Sequence, residues 1–255
     1  MEEPMLRFKN RVAIVTGAAR GMGRACSIAF AKEGAAVALV DVQRDIVEKV
    51  GDEIKNEGGQ ALCILCNVSN SEEVKRAVDR VITEFGTVDI LVNNAGVLRV
   101  TTPLEDISEE EWDLIIDVNL KGVFLFTRCV LPIMRARRYG KIINISSSAG
   151  RSTSELGGGH YTASKAAVLG LTRHTAREYG RYGINANSIC PGLVETPMIR
   201  EKASQEKLDH WLAQIPLGRF ADPREEADLV LFLASDEATY ITGATIDFNG
   251  GSLLL

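Results

Sequence analysis

The chain has 255 residues, of which 45% are hydrophobic and 25% are charged, and its formal net charge at pH 7 is -5. These proportions are close to those of an average globular protein, and they exclude a disordered, collagen-like or disulfide-scaffold chain. The acidic balance argues against nucleic acid as the main partner, because a protein that neutralises phosphates needs a basic excess.

The sequence contains no predicted targeting or membrane segment. Its first residues, Met1-Glu-Glu-Pro4, lack the positive charge and the apolar run of a secretory signal. The apolar runs are far shorter than the roughly 20 residues that cross a bilayer. Five cysteines in a chain without such a signal indicate reduced thiols. We therefore expect a cytoplasmic protein with no membrane partner.

Predicted strands and helices alternate along the chain. The short apolar runs mostly lack alternation with polar residues, which is typical of parallel strands buried on both faces. They occupy residues 12–16, 36–40, 61–66, 90–92, 141–145, 184–189 and 244–248. Helical patterns lie between them at 23–33, at 44–56, from 71 onward, and from a candidate capping box at 108–111 through to 134. The alternation predicts an α/β fold in one domain, residues 1–255, with right-handed crossovers.

Cys63 and Cys66 form a C-x-x-C pattern inside one of these predicted strands. Residues three apart on a strand point to opposite faces, so the two thiols are not expected to share a metal or a disulfide. The three histidines are scattered along the sequence. We predict no metal site.

Two segments interrupt the alternation. Residues 151–159, which end in Gly157-Gly-Gly159, are predicted to form a loop. Residues 195–216 form an extra helical segment, which we expect to act as a substrate lid. Loops and extra helices at the carboxyl ends of strands are where open α/β sheets bind ligands.

The segment Thr16-Gly-Ala-Ala-Arg-Gly-Met-Gly23 ends the first predicted strand and opens the first predicted helix. Its glycines permit a tight turn and a close approach of the backbone to a pyrophosphate. The helix N-terminus adds unpaired N–H groups and a positive dipole end. The position of this turn near the start of an α/β chain predicts dinucleotide binding.

Asp41 ends the second predicted strand, where an acid accepts hydrogen bonds from the adenosine ribose. Its carboxylate would repel the 2′-phosphate of NADP, which favours NAD as the cofactor. Arg20, in the glycine turn, points the other way, because a basic residue there can hold that phosphate.

Tyr161 and Lys165 are spaced i, i+4 in a predicted helix, so their side chains share one face. Tyrosine has an ordinary pKa near 10 and is a poor base at neutral pH. An ammonium about 4 Å away contributes roughly 4 kcal/mol at an effective dielectric of about 20. We therefore expect Lys165 to lower the pKa of Tyr161, so that the pair can transfer protons near pH 7.

Taken together, the motifs resemble those of the short-chain dehydrogenase/reductase family, in its compact single-domain branch. The resemblance runs from about Lys9 to Gly251, at the family's order and spacing. Its motifs are the glycine turn, Asn93-Asn-Ala-Gly96, Asn119, Ser146-Ser-Ser148, Tyr161 with Lys165, Pro191-Gly192 and Asn249-Gly-Gly251. The resemblance implies a Rossmann fold, a doubly wound parallel β-sheet with helices on both faces.

The resemblance also implies catalytic roles. Tyr161 would be the acid/base, Lys165 would lower its pKa, and Asn119 would anchor a water of the proton relay. A serine would hold the substrate oxygen. Alignment favours Ser147, although the family's usual distance to the tyrosine suits Ser148; the glycine run at 157–159 is a natural place for one inserted residue, so we expect Ser147.

The implied cofactor site uses the glycine turn, Asp41 and several loops that follow strands. Asn67, where the family usually has Asp, and Val68 would meet the adenine. The full set of implied cofactor residues is Gly17, Arg20, Gly21, Met22, Gly23, Asp41, Asn67, Val68, Asn94, Ala95, Gly96, Tyr161, Lys165, Pro191, Gly192, Val194 and Thr196.

The substrate is specified less clearly. Arg99, Arg151 and Arg200 lie in segments expected to surround it, and a guanidinium suits a carboxylate or phosphate. They are equally consistent with exposed loop residues. His160 adjoins Tyr161 and is a candidate substrate contact, although neighbours on a helix face different directions.

These features favour an NAD-dependent dehydrogenase that interconverts a secondary alcohol and a ketone on a polyol, sugar, hydroxy acid or related small molecule. A 3-oxoacyl thioester reductase that uses NADPH is an alternative, which Asp41 disfavours and Arg20 supports. A non-catalytic dinucleotide sensor or scaffold on the same fold is disfavoured by the intact serine, tyrosine, lysine and asparagine set. The resemblance further implies a homo-oligomer, normally a tetramer.

Overall fold

The computed structural model describes residues 6–100, 103–154, 156–197, 201 and 204–255. Its centre is a seven-stranded sheet in the order β3-β2-β1-β4-β5-β6-β7, in which every neighbouring pair is parallel. The strands are β1 (Val12–Thr16), β2 (Ala36–Asp41), β3 (Gln60–Leu65), β4 (Ile90–Asn93), β5 (Gly140–Ile145), β6 (Ile184–Pro191) and β7 (Thr245–Phe248). The predicted doubly wound parallel sheet is therefore confirmed.

Helices cover both faces of the sheet. They are α1 (Gly21–Lys32), α2 (Arg44–Asn56), α3 (Ser71–Phe85), α4 (Glu109–Ile116), α5 (Gly122–Arg137), α6 (Gly159–Tyr179), α7 (Gln205–Ala213) and α8 (Pro223–Ala234). One core layer contains residues of α1, α2 and α8, and the opposite layer contains residues of α3, α5 and α6. The order of the strands reverses between β1 and β4, and in such sheets this reversal opens a crevice at the carboxyl ends of the strands.

The helix predicted to run from residue 108 to 134 is interrupted. Ser108 caps α4 by accepting from the backbone N–H of Glu111 at 3.2 Å, as the capping pattern predicts. A π-helical turn, Asp117–Lys121, then separates α4 from α5. Single π turns inside helices are frequently found at functional sites. The periodicity of the sequence gave no sign of this turn.

The C-x-x-C pattern behaves as expected. Cys63 packs with the core layer of α1 and α2, whereas Cys66 belongs to the layer of α3 and α5. All five cysteines are free thiols. Within the described part of the chain, no group of three or more His, Cys, Asp or Glu side chains is placed to hold a metal ion. The described helices include none that combines the length and the apolar character needed to cross a membrane.

Candidate active site

A cavity of about 290 Å³ lies beyond the carboxyl ends of β5 and β6. One wall contains the hydroxyls of residues 146–148 and 152–154, and another contains the apolar side chains of Leu98, Leu156 and Trp211. Ligand pockets generally measure about 300–1,000 Å³, so this one is small. None of the described side chains that line it carries a formal charge.

Tyr161 projects into this cavity from the first turn of α6, and Lys165 lies one turn later on the same helix. The Lys165 ammonium is 5.8 Å from the centroid of the Tyr161 ring. It donates a hydrogen bond of 2.9 Å to the carbonyl oxygen of Ile145, at the carboxyl end of β5. The i, i+4 spacing thus brings the two side chains together as the sequence predicts.

The electrostatics of the pair differ from the expectation. Burial raises the pKa of Tyr161 above its ordinary value, and the hydrogen bond with Ser147 opposes this rise only in part. Burial also lowers the pKa of Lys165 to about 8. The expected lowering of the tyrosine pKa is therefore wrong for the protein alone, because desolvation outweighs the opposing contribution of Ser147. Tyr161 is a protonated phenol at neutral pH, ready to donate.

The three consecutive serines have different partners. Ser147 lines the cavity beside Tyr161 and lowers the pKa of that phenol as a side-chain hydrogen-bond partner. Ser146 donates to the carbonyl oxygen of Lys165 at 2.8 Å and so fixes α6. Ser148 also lines the cavity and begins a short 3-10 turn. The bond to Tyr161 supports Ser147 as the residue that holds the substrate oxygen.

Asn119 lies in the π-helical turn and is fully buried. Its Oδ1 accepts from the backbone N–H of Val97 at 2.8 Å, and its Nδ2 donates to the carbonyl oxygen of Val97 at 2.9 Å. Nδ2 also lies 3.2 Å from Oγ of Ser164. The side chain therefore fixes the loop after β4 against α6, close to Lys165 rather than in the cavity.

The glycine turn is held from the neighbouring strand. Asn94 donates through Nδ2 to the carbonyl oxygens of Thr16 and Gly17, at 2.9 and 3.1 Å. Thr16 Oγ1 accepts from the backbone N–H groups of Asn94 and Ala95, both at 3.0 Å. Gly17 has φ +67°, and a Cβ on Gly23 would overlap the Gly17 carbonyl oxygen. Asn94, which is predicted to line the ribose, thus stabilises the glycine turn.

The turn leaves room for a dinucleotide. A Cβ at Gly21 would lie 3.2 Å from Cγ2 of Thr196, so glycine keeps the gap between the turn and the opposite loop open. Met22, Pro191, Gly192, Val194 and Thr196 all line the cavity, next to Ser147 and Tyr161. This arrangement fits a nicotinamide placed at the inner end of the crevice, with its phosphates on the N-terminus of α1.

Asp41 lies at the end of β2 and is almost fully buried. Oδ2 accepts from the backbone N–H of Ala19 at 3.0 Å, and Oδ1 accepts from that of Gln43 at 3.0 Å. Each carboxylate oxygen keeps a lone pair for a ribose hydroxyl. Arg20 is exposed and lies 3.9 Å from Glu201. The buried carboxylate of Asp41 is therefore fixed beside the glycine turn, whereas the guanidinium of Arg20 is not.

Asn67 and Val68 are placed differently from each other. Asn67 is exposed, and its Oδ1 accepts from the backbone N–H and hydroxyl of Ser69, at 3.1 and 2.9 Å. Val68 is buried and packs against Gly122. Gly96 adjoins the Lys165 ammonium, since a Cβ there would lie 3.4 Å from Nζ.

Arg99, Arg151 and His160, the predicted substrate residues that the structure describes, do not line the cavity. His160 is fully buried, with Nε2 2.9 Å from Glu111 Oε1, and its ring contacts α4 rather than the cavity. Arg151 forms an ion pair with Asp247 at 3.1 Å, and Arg99 is exposed in the segment after β4. Arg200 lies outside the described residues. The sequence pattern could not place these side chains, because each orientation depends on a distant segment.

Two features of the site were not anticipated from the sequence. Ser252 and Leu253 line the cavity, and Asn249 holds this segment by donating to the Leu253 carbonyl oxygen at 2.9 Å. Glu226, on α8, is fully buried, and neither carboxylate oxygen has a hydrogen-bond partner among the described residues. Burial raises the pKa of Glu226 to about 8, and the Lys165 charge opposes that rise.

Known proteins similar to this chain share its length and fold. Residues 17–252 match a family profile described as enoyl-(acyl carrier protein) reductase. The 3-oxoacyl-[acyl-carrier-protein] reductase of Thermotoga maritima is 40% identical over 249 residues, which cover 98% of this chain and 100% of the relative. The structure of a 3-oxoacyl-[acyl-carrier protein] reductase with bound NAD from Brucella melitensis superposes with a TM-score of 0.90 at 35% identity, covering 98% of this chain and 95% of that one. The structure of levodione reductase superposes with a TM-score of 0.93 at 34% identity, covering 96% and 98%.

Proposed function

The chain belongs to the short-chain dehydrogenase/reductase family, and we propose that it reduces the ketone of a 3-oxoacyl thioester to a secondary alcohol, with NADH as the hydride donor. It is thus an oxidoreductase, and its similarity to the Thermotoga maritima enzyme favours the thioester over the polyol or sugar expected from sequence. The observation that carries the proposal is the placement of Ser147 and Tyr161 together in a cavity whose described lining residues carry no charge.

The proposed reaction uses the protein groups as follows. The Ser147 hydroxyl donates a hydrogen bond to the ketone oxygen and stabilises the negative charge that develops there. The nicotinamide, when bound, supplies hydride to the ketone carbon. Tyr161 gives its phenolic proton to the oxygen, which completes the alcohol and leaves a phenolate. The Lys165 ammonium stabilises that phenolate until solvent returns the proton.

The pKa of Tyr161 bears on the role of its hydroxyl. Because burial raises it, the phenol holds its proton at neutral pH and is suited to act as the acid in ketone reduction. Oxidation of an alcohol by the same group would start from the phenolate.

The choice of NAD rests on Asp41. Its carboxylate is fixed by Ala19 and Gln43 at the end of β2, where an acid accepts from the adenosine ribose and would repel the 2′-phosphate of NADP. The Brucella melitensis structure supports this choice, since a protein of that name binds NAD.

The absence of charge among the described cavity-lining residues does not favour a substrate that is itself an anion at the reacting end. A second candidate is therefore a small uncharged ketone or alcohol, which the size of the cavity and the similarity to levodione reductase both favour.

A homo-oligomer remains part of the proposal, because Trp112, Leu114 and Phe124 are about 40% exposed on α4 and α5. Light scattering coupled to size-exclusion chromatography measures it.

The test is a rate assay on the purified protein with acetoacetyl-N-acetylcysteamine thioester and NADH or NADPH. We expect turnover with NADH, and at least about tenfold weaker binding of NADP than of NAD in calorimetric titrations. Reduction of uncharged cyclic ketones but not of the thioester would favour the second candidate. A panel of polyols, sugars and hydroxy acids with NAD tests the oxidation of small polar alcohols.

Asp41→Asn removes the charge and keeps one oxygen acceptor for the backbone N–H of Ala19 or Gln43, while the other N–H loses its acceptor. We expect the variant to lose about tenfold of the preference for NAD over NADP, because the repulsion of the phosphate disappears. Asp45→Asn, an exposed acid in the first turn of α2, is the matched control and should leave the preference unchanged. An unaltered preference in Asp41→Asn would contradict the assignment.

A further inference from the structure

The helix that carries Tyr161 begins without a polar cap. Its N-cap residue is Gly158, which has no side chain to accept from the first-turn N–H groups. A Cβ at Gly158 would lie 2.7 Å from Cε1 of His160, so glycine is required there for close packing. Glycine also leaves the backbone free to adopt many conformations. The Gly158 carbonyl oxygen accepts from the backbone N–H groups of Tyr161 and Thr162, at 3.1 and 3.2 Å, but no N-cap side chain adds to these bonds.

His160 contacts that turn directly. The ring is fully buried, and Nδ1 accepts from the backbone N–H of Tyr161 at 3.0 Å. Because Nδ1 is the acceptor, the neutral ring carries its hydrogen on Nε2. Nε2 lies 2.9 Å from Oε1 of Glu111, to which it donates. His160 thus joins the backbone of Tyr161 to α4.

Glu111 is the third residue of α4, the position from which a glutamate usually returns to the N-cap backbone in a capping box. Ser108 forms its half of that box with the Glu111 N–H at 3.2 Å. The Glu111 carboxylate instead accepts from His160. The contact with His160 therefore takes the place of a local helix-capping bond.

The carbonyl side of Tyr161 is held independently. Ser164 donates through Oγ to the carbonyl oxygen of Tyr161 at 2.8 Å, and Asn119 in turn lies 3.2 Å from Ser164. Both backbone polar groups of Tyr161 are thus bonded to side chains. The Tyr161 N–H is shared between His160 Nδ1, at 3.0 Å, and the Gly158 carbonyl oxygen, at 3.1 Å, so His160 and Glu111 act on this side alone.

We propose that His160 and Glu111 are a positioning pair that fixes the backbone of Tyr161, so that the phenol stays aligned with Ser147 for proton transfer. The proposal rests on the proposed role of Tyr161 as the acid. A displacement of about 1 Å at a reacting group can reduce a rate by about a hundredfold. The pair therefore acts on kcat more than on binding.

Two isosteric substitutions separate the two bonds of the ring. His160→Asn places an amide oxygen near the position of Nδ1 and keeps an acceptor for Tyr161, but it does not reach Glu111. His160→Gln places an amide nitrogen near the position of Nε2 and keeps a donor for Glu111, but it loses the acceptor. Glu111→Gln keeps an oxygen acceptor for Nε2, whereas Glu111→Ala removes it.

The same helix offers a matched control. His174 and Glu178 form a second pair, with Nε2 3.2 Å from Oε2, and both side chains are exposed. His174→Asn, His174→Gln and Glu178→Ala change the same chemistry on α6 without touching Tyr161. They should leave the rate and the exchange of the first turn unchanged.

The first measurement is hydrogen exchange of the backbone amides at the start of α6, followed by mass spectrometry, which needs no substrate. We expect faster exchange in His160→Gln and Glu111→Ala, and near-normal exchange in Glu111→Gln and in the control variants. Unchanged exchange in every His160 and Glu111 variant, with the rest of α6 still protected, would overturn the proposal. This result does not depend on which substrate the protein uses.

The second measurement is steady-state kinetics. We expect kcat to fall by about tenfold to a hundredfold in His160→Gln and Glu111→Ala, with KM for substrate and NADH within about twofold. His160→Asn should recover part of the loss. Equal losses in all variants through KM alone would overturn the positioning role. If the wild-type protein reduces no thioester, the proposed substrate fails, while the exchange experiment still decides the role of the pair.

Discussion

The two ends of strand β5 each hold a buried lysine beside a tyrosine. At the amino end, Lys141 Nζ is 5.8 Å from the ring centroid of Tyr139; at the carboxyl end, Lys165 Nζ is 5.8 Å from that of Tyr161. Burial lowers the pKa of both lysines and raises the pKa of both tyrosines. A buried lysine–tyrosine pair is therefore not by itself a sign of catalysis.

The pairs differ in what the hydroxyl contacts. Tyr139 donates to Asp236 Oδ1 at 3.1 Å, beneath the guanidinium of Arg11, and does not line the cavity. Tyr161 bonds to a neutral serine and opens onto the cavity. The carboxylate holds the proton of Tyr139 in a structural bond, whereas the proton of Tyr161 can leave with a substrate. The groups that surround a lysine–tyrosine pair therefore determine whether its role is structural or catalytic.

The largest effect is expected from the tyrosines. Tyr161→Phe removes the proposed proton donor, so kcat should fall by about a hundredfold to ten-thousandfold. Tyr139→Phe should leave kcat within about twofold, because that hydroxyl never meets a substrate. Rates are followed by NADH absorbance, and circular dichroism checks that both variants fold. Equal losses in the two variants would remove the distinction between the ends of β5.

Replacement of the two lysines should affect different properties of the protein. Lys165→Met should reduce kcat by about a hundredfold, since the phenolate loses its cation. The pKa of Lys165 is about 8, so the wild-type rate should decline as the pH rises through that value, and the variant should lack this decline. A wild-type rate that is flat between pH 7 and 9 would contradict the role of the charge.

Lys141→Met should affect stability instead. Lys141 donates to Asn185 Oδ1 at 3.0 Å, and the variant leaves that buried oxygen without this donor. We expect the free energy of unfolding to fall by about 1–3 kcal/mol, measured by urea titration, with kcat unchanged. A loss of activity without a loss of stability would contradict the structural role assigned to Lys141.

Of the two lysines, only Lys165 is affected by Glu226, whose carboxylate raises the pKa of Lys165 when it is ionised. The folded carboxyl stays protonated up to about pH 8, whereas the unfolded one ionises above about 4.5. The unfolded state therefore releases its proton first, and the wild-type protein loses stability as the pH rises from about 4.5 to 8. Glu226→Leu should be more stable by about 1–3 kcal/mol at pH 7, with a smaller gain at pH 5.

Urea titrations at pH 5, 7 and 8 test whether the gain in stability of Glu226→Leu increases with pH. The exposed residue Glu225 is unsuitable as a control, because it bonds to Arg219 at 2.7 Å. Asp228→Leu, on the same helix, is a better one and should show no such dependence on pH. A gain in Glu226→Leu that is equal at pH 5 and pH 8 would mean that the carboxyl is not held protonated.

The smallest effect is expected from Arg151. Its guanidinium pairs with Asp247, and both side chains are partly exposed. Arg151→Ala should cost at most about 1 kcal/mol of stability and leave kcat/KM within about twofold for charged and uncharged substrates alike. A selective loss with carboxylate substrates would restore the expectation that this residue binds an anion.

The sheet, the glycine turn and the i, i+4 pair could be predicted because each depends on local sequence. Continuous apolar runs mark buried parallel strands, and a helical spacing of four puts Tyr161 above Lys165. The direction of the tyrosine pKa could not be predicted, since it depends on how much of the surrounding chain excludes water. The partners of His160 and Arg151 were also hidden, because Glu111 and Asp247 come from distant segments.

The π-helical turn at Asp117–Lys121 has a consequence for the helix that follows it. Each residue rotates an α-helix by about 100°, so one extra residue in a turn sets the angular phase of everything downstream. In α5 this phase turns Phe126 into the core and leaves Phe124 43% exposed. A deletion of a single residue between 117 and 121 would rotate the whole of α5 by about 100°, turn part of its buried face towards solvent, and withdraw Asn119 from Val97. The length of this segment is therefore under tighter constraint than the identity of most of its residues.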